Sequence, residues 1–83
     1  MRAGRPIRRR GRWAFVSHPY NGPVWRLDGS DWDLEFDPFE HAWHLYVSGS
    51  YRTTVDSYLD GAMAWTEQKY DQALWTALGG GKL

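Results

Sequence analysis

Trp32-Asp33-Leu34-Glu35-Phe36-Asp37 alternates apolar and acidic residues in strict period two. A β-strand with this pattern turns Trp32, Leu34 and Phe36 to one face and three carboxylates to the other. The first face is core, and the second is a row of acids about 6.6–6.8 Å apart. Pro38 ends the strand because proline has no N–H for the ladder. Upstream, Asp28-Gly29-Ser30-Asp31 is a short polar turn of the kind that joins antiparallel neighbours, and it leads back to Val24-Trp25-Arg26-Leu27. Before that strand, His18 to Pro23 packs two prolines and an Asn-Gly pair into a loop, and Trp13-Ala14-Phe15-Val16 reads as another strand.

Downstream, Ala42-Trp43-His44-Leu45-Tyr46-Val47 alternates again, with Trp43, Leu45 and Val47 on one side and His44 and Tyr46 on the other. Ser48-Gly49-Ser50 turns the chain into a short strand through Tyr51, Thr53 and Val55. Asp56 or Ser57 then caps a helix that runs to about Leu78 and stops at Gly79-Gly80-Gly81. At 100° per residue, Leu59, Ala62, Met63, Thr66, Tyr70, Ala73, Leu74 and Ala77 form one apolar stripe. Gly61 lies opposite it, at a cost of about 1 kcal/mol in helix propensity relative to alanine. The expected fold is α+β: an antiparallel sheet of four to five strands with one C-terminal helix on one face and a disordered basic N-terminal arm. The corresponding segments are a 1–11 arm, a 12–78 domain and a flexible 79–83 glycine tail.

The 83 residues have no cysteine, so disulfides, thiolate metal sites and cysteine nucleophiles are excluded. A domain of this size buries only about 60% of the surface of its unfolded chain and needs a dense core or a partner. No stretch approaches the roughly 18 apolar residues of a membrane span. Together with the absence of a signal-peptide pattern, this gives the expectation of a cytoplasmic protein with no membrane partner.

The formal net charge is zero, yet the charges are segregated. Residues 1–12 hold Arg2, Arg5, Arg8, Arg9, Arg10 and Arg12 with no acid, giving +6; the rest holds four bases against ten acids, giving −6. Six guanidiniums in twelve residues suit phosphate, so a nucleic-acid clamp is one reading of the arm and a solvated tail is the other. Asp33, Glu35 and Asp37, flanked by Asp28, Asp31 and Glu40, leave three readings open. They form a solvated strand face, an acidic surface imitating a nucleic-acid backbone, or a dock for the arginine arm. An exposed alternating row offers no pocket to raise a pKa, so no catalytic residue is assigned.

Of the three histidines, only His41 and His44 are close in sequence, in a turn and a strand whose directions need not agree. A metal needs three or four converging donors, so neither a metal site nor a cofactor is assigned. Fourteen aromatics, six of them tryptophan, exceed what one helix on one small sheet must bury. Trp13, Trp25, Trp32 and Trp43 build the core, whereas Trp75 falls well off the helix stripe and Tyr58 and Trp65 lie on its flank. Tyr46 and Tyr51 share the uncovered sheet face with His44. A tyrosine and tryptophan patch is a contact surface for another protein, for a second copy of the chain in a homodimer, or for stacked bases.

Residues 42–65, a tryptophan-bearing strand, a tight turn, the strand Tyr51-Arg52-Thr53-Thr54-Val55 and a helix with alanines and Trp65, resemble the sheet-plus-helix of small actinobacteriophage accessory proteins. They resemble more faintly the arm-site DNA-binding domain of tyrosine integrases. Eight arginines against two lysines fit a GC-rich genome of that kind. In the integrase domain the sheet reads DNA with basic and polar residues, whereas Asp33, Glu35 and Asp37 here would repel phosphate. The resemblance implies a phage-encoded, non-enzymatic binder of a host or phage protein. Tyr58, Trp65, Trp75, Asp33, Glu35 and Asp37 are its candidate contact residues, and the six arm arginines are the alternative nucleic-acid site.

Overall fold

In the computed structural model, which describes residues 7–18 and 22–79 with backbone alone at 17 and 18, the alternating segment is a central strand of one antiparallel sheet. The strands are β1 (Arg8–Arg9), β2 (Trp13–His18), β3 (Gly22–Leu27), β4 (Trp32–Asp37), β5 (Ala42–Val47) and β6 (Ser50–Asp56), followed by the helix α1 (Leu59–Ala77). Each strand pairs with its neighbours in chain order, so the sheet is an open six-stranded meander. Phe15, Trp25, Leu34 and Leu45 follow one another across β2 to β5, and Trp13 opposes Leu27. These residues meet Ala62 and Met63 of α1 to make the core, in which Trp13, Leu27, Leu34, Ala62, Met63 and Thr66 are fully buried. The Thr66 hydroxyl is satisfied by the Ala62 carbonyl at 2.7 Å.

Turn chemistry fixes this register. Gly29 takes the positive φ needed at the β3–β4 turn, where Ser30 Oγ donates to the Leu27 carbonyl and accepts from the Trp32 N–H. Ser48 and Gly49 both have positive φ between Val47 and its partner Ser50, the geometry of a type I′ hairpin turn. Asp37 Oδ1 accepts the N–H groups of Phe39 and Glu40 at 2.8 and 3.4 Å, closing an Asx turn that carries β4 into β5.

Three expectations change. The sheet has six strands rather than four to five, because Arg8 and Arg9 pair with Ala14 and Trp13 and the Phe15 N–H donates to the Ile7 carbonyl. Order thus begins inside the basic arm, whereas Arg2 and Arg5, like the glycine tail after Gly79, lie outside the described residues. At the helix start neither Asp56 nor Ser57 is the cap: Tyr58 occupies that position without a side-chain bond, while Asp56 Oδ1 accepts the Tyr58 N–H. Gly61 is no mere cost, since a Cβ there would collide with Asp56 Oδ2.

The third change concerns where α1 ends relative to the sheet. Nineteen residues span about 28 Å, and the sheet beneath is exhausted at Tyr70, whose ring abuts Trp32 edge-on at 5.2 Å. Ala73, Leu74 and Ala77, expected in the core, are therefore exposed, and the last two turns stand clear of it. Gly79, at φ +86°, stops the helix as expected, with its N–H bonded to the Thr76 carbonyl. Among the described residues no helix is long and apolar enough to cross a membrane.

Candidate interaction surfaces

The arm arginines find their partners on α1. Asp60, Glu67 and Asp71 fall within about 40° of one another on the helix, because spacings of seven and four residues return to the same face. Arg9 Nε meets Asp60 Oδ1 at 2.9 Å, Arg10 forks onto Glu67 at 2.7 and 3.2 Å, and Arg12 forks onto Asp71 at 2.8 and 3.0 Å. Arg8 pairs with Asp28. Glu67 is the hub, for its Oε2 also accepts the indole N–H of buried Trp13 at 2.7 Å. The Arg10 bond holds the Glu67 carboxyl below the usual range against the opposing pull of burial, with Trp13 adding to it. Asp60 and Asp71 are likewise lowered by their arginines, and Arg9, Arg10 and Arg12 are raised by the same bonds. An intramolecular dock for the arm thus exists among the described arginines, on α1 and Asp28 rather than on Asp33, Glu35 and Asp37. The seven-and-four spacing of the helix acids was the sequence signal for it.

On the sheet face away from α1, the register breaks up the acid row. Asp33 opposes Arg26 and takes its guanidinium in a fork at 2.8 and 3.0 Å. Glu35 opposes His44. Asp37, at the strand end, lies near Glu40 and His44: His44 Nε2 is 2.6 Å from Glu40 Oε1 and 3.8 Å from Asp37 Oδ2. The His44 ring meets Tyr51 edge-on at 5.3 Å, and Tyr51 meets Tyr46 at 5.8 Å, so these three rings share the open face as expected. A cleft of about 230 Å³ lies there, lined by Glu35, Asp37, His44 and Tyr46 together with Phe36, Pro38 and Phe39. Burial pushes the Tyr46 hydroxyl up, and the charges of Glu35 and Asp37 push it further. His41 stands apart, at φ +52° with its ring edge-on to Phe36, and the His18 side chain lies outside the described residues.

The third surface is the free end of α1. Leu74, Trp75 and Leu78 are 45, 60 and 85% exposed. Beside them a cleft of about 570 Å³ runs along Ala64, Glu67, Gln68, Asp71, Gln72 and Trp75. The three aromatics singled out from the sequence, Tyr58, Trp65 and Trp75, are all exposed and lie in two places. Tyr58 and Trp65 share a flank seven residues apart, with Lys69 Nζ 5.5 Å from the Trp65 ring, whereas Trp75 lies ten residues or about 15 Å beyond Trp65 and about 80° around the helix. Comparison with protein-family models, curated proteins and solved structures found no match.

Proposed function

We propose that this chain is a non-enzymatic protein-binding domain whose docking element is the free end of α1. The observation that carries the reading is the exposure of Leu74, Trp75 and Leu78 on two helical turns that the sheet does not reach. A helix presenting aliphatic and tryptophan anchors on turns held outside a core suits insertion into an apolar groove of another protein. The adjoining cleft supplies a concave surface of mixed character for the rim of such a contact. The resemblance of residues 42–65 to small actinobacteriophage accessory proteins makes a host or phage protein the partner, and the acidic, aromatic open sheet face is a secondary contact. Pairing of Arg8, Arg9, Arg10 and Arg12 with carboxylates weighs against the arm as a nucleic-acid clamp, since phosphate would have to displace them.

The test is affinity purification of the full chain from an actinobacterial lysate treated with nuclease, alongside the double variant Trp75→Ala, Leu78→Ser. Both residues are exposed, so circular dichroism and the thermal midpoint stay unchanged. A protein retained by the wild type and lost from the variant is the expected result. A partner retained equally by both, or one that disappears on nuclease treatment, would overturn the reading.

A further inference from the structure

We propose that Asp37, Glu40 and His44 form a binding site for a divalent transition-metal ion of the zinc type, on the open sheet face and independent of the α1 docking element. One ligand atom from each of the three lies within 4.8 Å of those of the others. They reach the same place from three structural positions: the end of β4, the connecting turn and the third residue of β5. The donors are mixed, one imidazole nitrogen and two carboxylates. A nitrogen donor suits zinc and its neighbours, whereas calcium and magnesium take oxygen alone.

Two of the three donor distances need little change, and the third, between Asp37 and Glu40, lies within 4.8 Å. Ligand bonds of about 2.0–2.2 Å in a tetrahedral arrangement put neighbouring donors about 3.4 Å apart. Asp37 Oδ2 and His44 Nε2, at 3.8 Å, close by a few tenths of an ångström. Glu40 Oε1 and His44 Nε2, at 2.6 Å, open by less than an ångström, and the Glu40 side chain, 58% exposed in a turn, is free to rotate. Asp37 is already oriented, because its Oδ1 holds two backbone N–H groups and leaves Oδ2 toward the imidazole. Tyr51 packs edge-on against the His44 ring and fixes its plane.

An independent observation is the pattern of charge matching. Among the described residues, Asp28, Asp33, Asp60, Glu67 and Asp71 each hold an arginine, while Asp31 accepts the Ser48 hydroxyl and Asp56 the Tyr58 N–H. The ion-pair partner of Asp37 and Glu40 is His44, which is cationic only when protonated. The two carboxylates converge with the imidazole at the edge of a cleft large enough for an ion and its waters. A divalent ion would match that charge. On binding, His44 gives its Nε2 lone pair to the metal and keeps its hydrogen on Nδ1, and any proton on Nε2 is released to solvent.

Calorimetric titration of the tag-free full chain with zinc chloride tests this. One ion per chain is expected, with His44→Ala weakening binding at least tenfold and Glu40→Gln at least fivefold, His41→Ala leaving it unchanged and magnesium chloride giving no binding. Glu40→Gln alters an exposed turn residue and keeps the fold, so its result stands even if His44→Ala perturbs the packing on Tyr51. No zinc binding by the wild type, or binding that survives both variants at those thresholds and is therefore adventitious, would overturn the proposal.

Discussion

The carboxylates of α1 and those of the β4–β5 turn are matched in different ways. Asp60, Glu67 and Asp71 each face a guanidinium, two of them through bidentate forks, and the result is a charge ladder that stitches β1 and the β1–β2 connection to the helix. Asp37 and Glu40 face an imidazole rather than a guanidinium. A permanent cation at fork distance makes an acid part of the architecture, because phosphate, metal or solvent must first displace it. An acid beside a histidine keeps its capacity for an added cation. The α1 acids are thus part of the architecture, whereas Asp37 and Glu40 belong to the proposed ion site at the β4–β5 turn.

The largest effect expected from breaking that contrast is Glu67→Ala. It removes the Arg10 fork and strands the buried Trp13 indole N–H at once, and the site is only 15% exposed. A loss of about 2 kcal/mol is expected in urea unfolding. The same change at Glu40, whose side chain is exposed, should shift stability by less than about 0.5 kcal/mol.

Acid should sharpen the contrast next. The folded-state carboxyls of Asp60, Glu67 and Asp71 lie below their unfolded values, so the unfolded chain binds more protons in the acid range. Solvent screens the exposed Asp60 and Asp71 pairs, so the contribution rests on part-buried Glu67; it is complete above about pH 4.5 and is lost as pH falls through the folded value. Urea midpoints measured from pH 6 down to 3 should fall, and the gap between wild type and Glu67→Gln should narrow over the same interval. A gap that stays constant would detach Glu67 from the ladder. A smaller expectation concerns Asp71→Asn, at the exposed end of the ladder: its urea midpoint should match the wild type within error, because solvent screens the pair.

Much of the fold was legible in the alternation of β4 and β5, because period two fixes both the element and its buried face. Two features were not. Arg8 and Arg9 have no sequence character of a strand, and what orders them is tertiary: the Ile7 carbonyl, the pairing with Trp13 and Ala14, and the helix acids. The stripe on α1 shows which side is apolar but not where the sheet beneath it stops, so Leu74 and Ala77 were assigned to a core that ends at Tyr70. On the candidate sites, Trp75 off the stripe was readable, whereas the gathering of Asp37 with Glu40 and His44 depends on an Asx turn and a cross-strand register that spacing alone does not specify.

The contrast between matched and unmatched carboxylates is tested most directly by following backbone and side-chain resonances of the isotope-labelled full chain as zinc chloride is added. Shifts confined to residues 35–46 and Tyr51, with Glu67, Asp71 and the Trp13 indole N–H unmoved, are the predicted result. Shifts at the α1 acids, or small shifts spread over all the acids alike, would contradict it.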